Sequence, residues 1–313
     1  MTDPTIARYL PSQRFGAVRD VTQISVGLSG AAVHAVVTDT GDYVLRIVPS
    51  QASDAWRQQL AVQRLASEHV VAPRLEWVDE AGPATVSVRI VGPRFSEALG
   101  APDSRARALA SLVDVLAKLH AISGEGIEPA DPSATVRTLW AAQSVRPSFP
   151  SWALPLIVEF AALARSVERD PRRVLSHNDL NPANVLWDGS RVWLVDWEVS
   201  GMTHPYYDLA CVAMFLRLDD ESALDLLARQ EGTPLTAEQG DTFRSLRRIA
   251  TMLYGLVFLS LVPDTELRPA ERVDDAPTLA QCYAMLSTGA LDLRAAAGQC
   301  TFGSALLRLA LGM

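Results

Sequence analysis

Cysteine is scarce in this chain, and its three residues, Cys211, Cys282 and Cys300, are odd in number and far apart. No pair has metal-ligand spacing, so neither a zinc site nor a disulfide framework is indicated. Three buried or incidental thiols in a reducing compartment are expected instead. Positive charge is also in short supply. Lys and Arg total 28 against 36 Asp and Glu, a formal net charge of -8. Neutralising a phosphate backbone needs a basic surface, so no nucleic-acid partner is expected; the sign mildly favours cationic partners. Long apolar runs are missing too. The most apolar stretch, 249–262, falls short of the roughly 20 residues that span a bilayer. Arg247-Arg248 and Pro263 bracket it, so it reads as a buried core helix and no membrane role is expected. Met1-Thr2-Asp3-Pro4 shows neither a basic nor an apolar leader, so no secretory signal and a cytoplasmic location are expected. No internal repeat or low-complexity tract stands out.

What is present is ordinary globular material: 313 residues, 49% hydrophobic and 20% charged, enough for two modest domains or one large one. The first ninety residues read as β-rich with one helix. Strands are expected at 21–26, 33–38 and 42–48, the last two around the turn Asp39-Thr40-Gly41. A helix is expected at 56–68, with Leu60, Val62 and Leu65 apolar, then a strand at 84–91 ending at the breaker pair Gly92-Pro93. A division is placed there, 1–91 and 92–313. Beyond it the pattern turns helical: 104–120, capped by Asp103 or Ser104, then 152–167, 207–216, 221–231, 236–262 and 278–296.

Residues 174–197 break the helical run. An apolar approach leads into His177-Asn178-Asp179-Leu180-Asn181-Pro182-Ala183-Asn184, followed by an apolar exit, the turn dipeptide Asp188-Gly189 and a return strand, 192–195, that delivers Asp196. A hairpin brings its two ends together, so Asp179, Asn184 and Asp196 can converge. Two carboxylates and an amide oxygen are hard donors of the kind magnesium takes, one or two at a time beside substrate phosphates. Phosphoryl transfer also needs a group that orients the attacking hydroxyl and accepts its proton. Asn and Asp also cluster in plain turns. His177 suits a loop-supporting hydrogen bond better than direct chemistry, and Asp208 could be a helix N-cap.

The segment 177–184 resembles the catalytic loop of aminoglycoside phosphotransferases and bacterial choline kinases. Val195-Asp196-Trp197-Glu198-Val199-Ser200-Gly201 resembles their metal-binding strand end, and Tyr207-Asp208-Leu209-Ala210 the helix start that follows. The resemblance implies a protein-kinase-like α+β fold, with a small β-rich N-lobe carrying one main helix and a larger, mostly helical C-lobe. It implies Asp179 as the catalytic residue, His177 and Asp208 as supports of the loop, and Asn184 and Asp196 as holders of Mg2+. ATP would lie under the turn at 25–32, touching Gly27, Ser29 and Gly30, with its base on the main chain of Val88 to Ile90; GTP is left open. Arg46 stands where most kinases have Lys. The helix position expected to hold that cation with a Glu carries Gln58 or Gln59, so either a neutral amide orients Arg46 or its partner lies elsewhere. Thr203-His204 is a further departure, with His204 expected at the surface or in the substrate cleft.

The implied activity is ATP- and Mg-dependent transfer to a hydroxyl of a small molecule: an aminoglycoside or other antibiotic, or a choline-like amino alcohol. Candidate substrate contacts are Glu198, His204, Tyr206, Asp219 and Asp220. The acids at 219–225 read equally as a solvated helix face. Trp197, Tyr206, Tyr207 and Tyr254 are candidates for an aromatic cage around a quaternary amine. The alternative is a non-catalytic, regulatory nucleotide-binding protein, motivated by Arg46 and Gln58. A protein kinase is disfavoured, since no Ala-Pro-Glu closes an activation segment between Asp196 and Asp208. Oligomeric state is unreadable.

Overall fold

The computed structural model describes residues 4–24, 30–48, 53–79 and 84–313. The chain gathers into two compact units, 1–129 with 174–202 and 130–173 with 203–313.

The first unit opens with two short helices, α1 (Pro4–Tyr9) and α2 (Ser12–Phe15), and a sheet of β1 (Val18–Gln23), β2 (Ala32–Thr38), β3 (Asp42–Ile47), β4 (Leu75–Asp79) and β5 (Ala84–Val88). The strands lie in the order β1-β2-β3-β5-β4, every pair antiparallel. The expected turn is there: the Thr38 N–H donates to the Gly41 carbonyl at 2.9 Å. Val36, Leu45 and Val86 close one core with Ile6, Tyr9 and Phe15 of the leading helices and Leu10 between them. Each such buried side chain contributes roughly 1.5–3 kcal/mol. Helix α3 (Asp54–Glu68) starts at Ser53, whose hydroxyl accepts from the Trp56 N–H at 3.2 Å. Helix α4 (Phe95–Gly100) leads into α5 (Pro102–His120), which starts earlier than expected. Proline lacks an N–H and suits the first helical position, so Ala101 is the cap, and neither Asp103 nor Ser104 is.

The 174–202 segment adds β6 (Val174–Ser176), β7 (Val185–Trp187), β8 (Val192–Leu194) and the start of β9 (Gly201–Thr203). β7 and β8 form the expected hairpin, in the register Val185↔Leu194. Its turn is wired by Asp188, which accepts from the Ser190 and Arg191 N–H groups at 2.8 Å and from the Trp193 indole at 2.7 Å. Gly92 is required where the chain crosses this hairpin: a Cβ there would sit 2.1 Å from the Trp187 carbonyl oxygen.

The second unit is helical. It holds α6 (Pro132–Gln143), α7 (Pro155–Glu168), α8 (Tyr207–Phe215), α9 (Asp220–Glu231), α10 (Ala237–Ser260), α11 (Leu279–Ser287) and α12 (Ala296–Leu311). The expected helix at 152–167 is a short 3-10 turn, Ser151–Ala153, and then α7, because Pro155 starts a new helix. The expected helix at 278–296 ends at Ser287. Gly289, at φ 73°, turns the chain, and α12 follows unforeseen. α10 and α12 cross closely, since a Cβ on Gly303 would lie 2.9 Å from the Gly255 carbonyl oxygen. Met214, Phe258, Cys282, Phe302 and Leu306 fill the core around them. Arg146 closes the end of α10, donating to the Leu259 and Val262 carbonyls at 2.8 and 2.6 Å. All three cysteines are buried, and none of them forms a disulfide. No helix among the described residues is long and apolar enough to cross a membrane.

Candidate active site

The loop between β6 and β7 is built from its own side chains. Asn178 takes a left-handed backbone, φ 67°, which Asn tolerates better than most residues. Its amide donates to the Val199 carbonyl at 3.0 Å. His177 is fully buried. Its Nδ1 accepts the Asp179 N–H at 3.3 Å, which leaves Nε2–H to donate to the Val195 carbonyl at 2.9 Å. One imidazole therefore ties the loop to the strand that delivers Asp196, and the Trp197 ring packs on it at 4.6 Å between centroids.

Asp179 is held by amides. Asn181 donates to both of its oxygens at 3.1 Å, and Asn184 donates to Oδ2 and to the Asp179 carbonyl at 2.9 Å. Asn181 was not singled out in the sequence, although its place two residues after Asp179 is the signal that would have found it. The Val195 N–H donates to the Asn184 carbonyl at 3.0 Å, so the hairpin sets Asp196 beside the Asn184 end of the loop. Asp196 is also left-handed, φ 68°.

Arg46, on β3, reaches this cluster. Its Nη2 donates to Asp196 Oδ1 at 3.2 Å and to Glu198 Oε1. Among the described residues these are its carboxylate partners, so the partner of Arg46 does lie elsewhere than on the helix. Gln59 is buried, and Gln58 points its amide at the Ser200 carbonyl, 3.3 Å away. Burial raises the Glu198 carboxyl pKa, and the neighbouring Asp196 and, more weakly, Asp179 add to this against the pull of Arg46. Three acids and one guanidinium thus share a small volume, all within the first unit.

The remaining candidates are placed as follows. Gly27 and Ser29 lie outside the described residues, and Gly30 stands at φ 70° just before β2. The Val88 N–H is engaged by the Arg74 carbonyl at 2.9 Å and the Arg89 N–H by Asp42 at 2.9 Å, with Ile90 just past the end of β5. Asp208 is fully buried inside the first turn of α8, whose N-cap is Tyr206, so the capping reading is corrected. Asp219 caps α9, accepting from the Ser222 N–H at 2.7 Å. Asp220 is paired with Arg244, at 2.9 and 3.0 Å, and with Arg247 at 3.4 Å.

His204 is not a surface residue: it is 2% exposed. Its Nδ1 accepts the Tyr206 N–H at 3.1 Å and its Nε2–H donates to Asp170 at 3.1 Å. Of the four candidate cage aromatics, Trp197, Tyr206 and Tyr207 are fully enclosed. Tyr206 packs on His204 and Phe243, whereas Tyr254 packs on Phe215.

A family model described as "Phosphotransferase enzyme family" matches residues 20–245. Protein LicA of Haemophilus influenzae is 41% identical over 51 residues, which are 16% of this chain and only 19% of that protein's length. Among solved structures, a choline/ethanolamine kinase family protein from Mesorhizobium loti superposes with TM-score 0.65 at 20% identity, over 99% of this chain and 96% of the other. The choline kinase LicA from Streptococcus pneumoniae follows at 0.63 and 16%, covering 81% and 88%. A thermostable mutant of aminoglycoside phosphotransferase APH(4)-Ia, in ternary complex with ADP and hygromycin B, follows at 0.60 and 18%, covering 95% and 96%. At such identities the likeness is one of fold, and the fold is the protein-kinase-like α+β arrangement expected from the sequence.

Proposed function

The chain belongs to the phosphotransferase enzyme family, and on that premise we propose that it moves the γ-phosphate of ATP to a hydroxyl of a small molecule in a magnesium-dependent reaction. The observation that carries this reading is the convergence of Asp179, Asn184 and Asp196 at one end of the β7–β8 hairpin, with Arg46 against them.

The residues fit the reactants. Among the described residues no group of three or more His, Cys, Asp or Glu side chains could hold a metal ion alone. Magnesium takes one or two hard oxygen donors from a protein beside phosphates and water, and an amide oxygen and a carboxylate are such donors. The Asn184 amide nitrogen faces Asp179, so its carbonyl oxygen and the Asp196 carboxylate are the donors proposed for magnesium. When bound there, magnesium neutralises charge on the phosphate oxygens. Arg46 Nη1 is buried and has no hydrogen-bond partner among the described residues, an orphaned donor that suits a phosphate-binding side chain. In this reading residues 1–91 cover the nucleotide, with Gly30 near its phosphates and the main chain near Val88 and Ile90 against its base. Residues 92–313 supply the catalytic loop and the acceptor contacts, in a cytoplasmic protein.

Asp179 orients the acceptor hydroxyl and takes its proton as the oxygen–phosphorus bond forms, while the bond from the γ-phosphorus to the β–γ bridging oxygen breaks and ADP leaves. Asn181 and Asn184 fix the plane of its carboxylate, and His177, tied through Nε2 to the Val195 carbonyl, fixes the backbone beneath it. Positioning of this sort carries most of the rate in phosphoryl transfer. The non-catalytic alternative rested on Arg46 and Gln58; the two carboxylates that Arg46 meets count against its second ground.

Incubation with ATP and magnesium across a panel of amino alcohols and aminoglycosides, read by mass spectrometry, tests the proposal. One acceptor should gain one phosphoryl group. Asp179→Ala should lower its kcat by about 10²–10⁴ with ATP affinity kept, while Asp196→Ala should abolish magnesium-dependent ATP binding. Equal, intact turnover in both variants would refute the assignment.

A further inference from the structure

We propose that Glu198 is the positioning residue for Arg46, supplying from the turn after Asp196 the carboxylate that α3 does not provide. The inference rests on the phosphate-binding role proposed above for Arg46.

Arg46 is largely enclosed, its side chain 13% exposed, and a guanidinium withdrawn from water needs a fixed counter-charge. Two carboxylates meet its Nη2, Asp196 and Glu198. Asp196 is a proposed metal ligand, so its carboxylate would be taken up in holding magnesium. Glu198 is then the carboxylate left to hold the guanidinium in its direction.

The helix still takes part, one step removed. Gln58 of α3 donates to the Ser200 carbonyl. The Ser200 hydroxyl and N–H both return to the Trp197 carbonyl, at 2.7 and 3.2 Å. These bonds close a turn over 197–200, and Glu198 is carried on it. Asn178 pins the same turn through the Val199 carbonyl at 3.0 Å. The path therefore runs from α3 through an amide to the turn, and from the turn through a carboxylate to Arg46. A neutral Gln at position 58 is thus compatible with an oriented Arg46, because the charge has moved to the other end of the path.

Isothermal titration with magnesium and ATP decides this, using Glu198→Gln, Glu198→Asp, Arg46→Ala and the double variant of Glu198→Gln with Arg46→Ala. Glu198→Gln should weaken ATP about 10-fold or more. The double variant should bind no worse than Arg46→Ala alone, because both changes remove one interaction. Glu198→Asp, which keeps the charge on a shorter side chain, should lose less ATP affinity than Glu198→Gln, whereas a purely structural Glu198 would suffer more from the shortened side chain than from the isosteric amide. Should Glu198→Gln melt early, Glu198→Asp replaces it, with a smaller loss expected. Unchanged ATP affinity, strict additivity with Arg46→Ala, or a shift confined to the acceptor KM would overturn the inference and leave the kinase reading standing. Failure of the unaltered chain to bind ATP would overturn both.

Discussion

At Asp196 the backbone sits in a left-handed conformation, φ 68°, that costs an L-residue roughly 1–2 kcal/mol. Strain of this kind persists where surrounding bonds over-determine it; here Val195 is bonded on both sides, to Asn184 and to His177. His204 shows a different cost. Burial pushes its pKa down to about 4 from 6.5, against the opposite pull of Asp170. Between those values the unfolded chain binds a proton that the folded chain refuses, so the stability present above pH 6.5 is lost as pH falls toward 4. Asp170, held down to about 2 chiefly by its hydrogen bonds from Arg172, adds its own loss only below the usual 3.8. Urea unfolding at several pH values should show the first slope, up to about 1.4 kcal/mol per pH unit. His204→Asn should flatten it, and an equally steep slope in the variant would exclude His204 as its source.

Among the elements, α3 ends in an unusual way. Val70, half exposed and β-branched, takes φ 60° at a position where glycine is the usual residue. The Val71 and Ala72 N–H groups return to the Ala66 carbonyl at 2.8 and 3.0 Å, and the chain then lies along β8, where the Leu194 N–H meets the Val71 carbonyl at 3.0 Å. The left-handed residue is what turns the helix end toward the hairpin. Val70→Gly keeps that turn and removes the Cβ clash, so it should stabilise the chain by about 1 kcal/mol. A later urea midpoint with an unchanged slope would register this; an earlier midpoint would mean that the valine packs to advantage.

For the whole molecule, the division into two units has a consequence for the proposed nucleotide site. Arg46, Asp179, Asn184, Asp196 and Glu198 all belong to the first unit, which takes the 174–202 segment away from its sequence neighbours. Hydrogen exchange in magnesium with a non-hydrolysable ATP analogue should slow the rapidly exchanging amides of 42–47 and 177–200 and leave those of α10 and α12 as they were, because local opening reports local contacts. Equal slowing in all four segments would count against a nucleotide site confined to the first unit.

Much of this protein was written in short-range chemistry. The β7–β8 hairpin, the Asp188-Gly189 turn, the loop 177–184 and most helices follow from residues a few positions apart, because turns, caps and periodicity are local properties. The start of α5 at Pro102, two residues before the expected one, and the break at Gly289 were missed where one residue outweighed its neighbours' pattern. Other features rest on contacts across long stretches of chain: the carboxylates of Arg46 some 150 positions away, the burial of His204, the tie from Gln58 to Ser200, and the close crossing at Gly255 and Gly303. No local pattern encodes which distant side chain will be brought alongside. That is decided when apolar faces pack and the polar groups carried with them must find partners away from water.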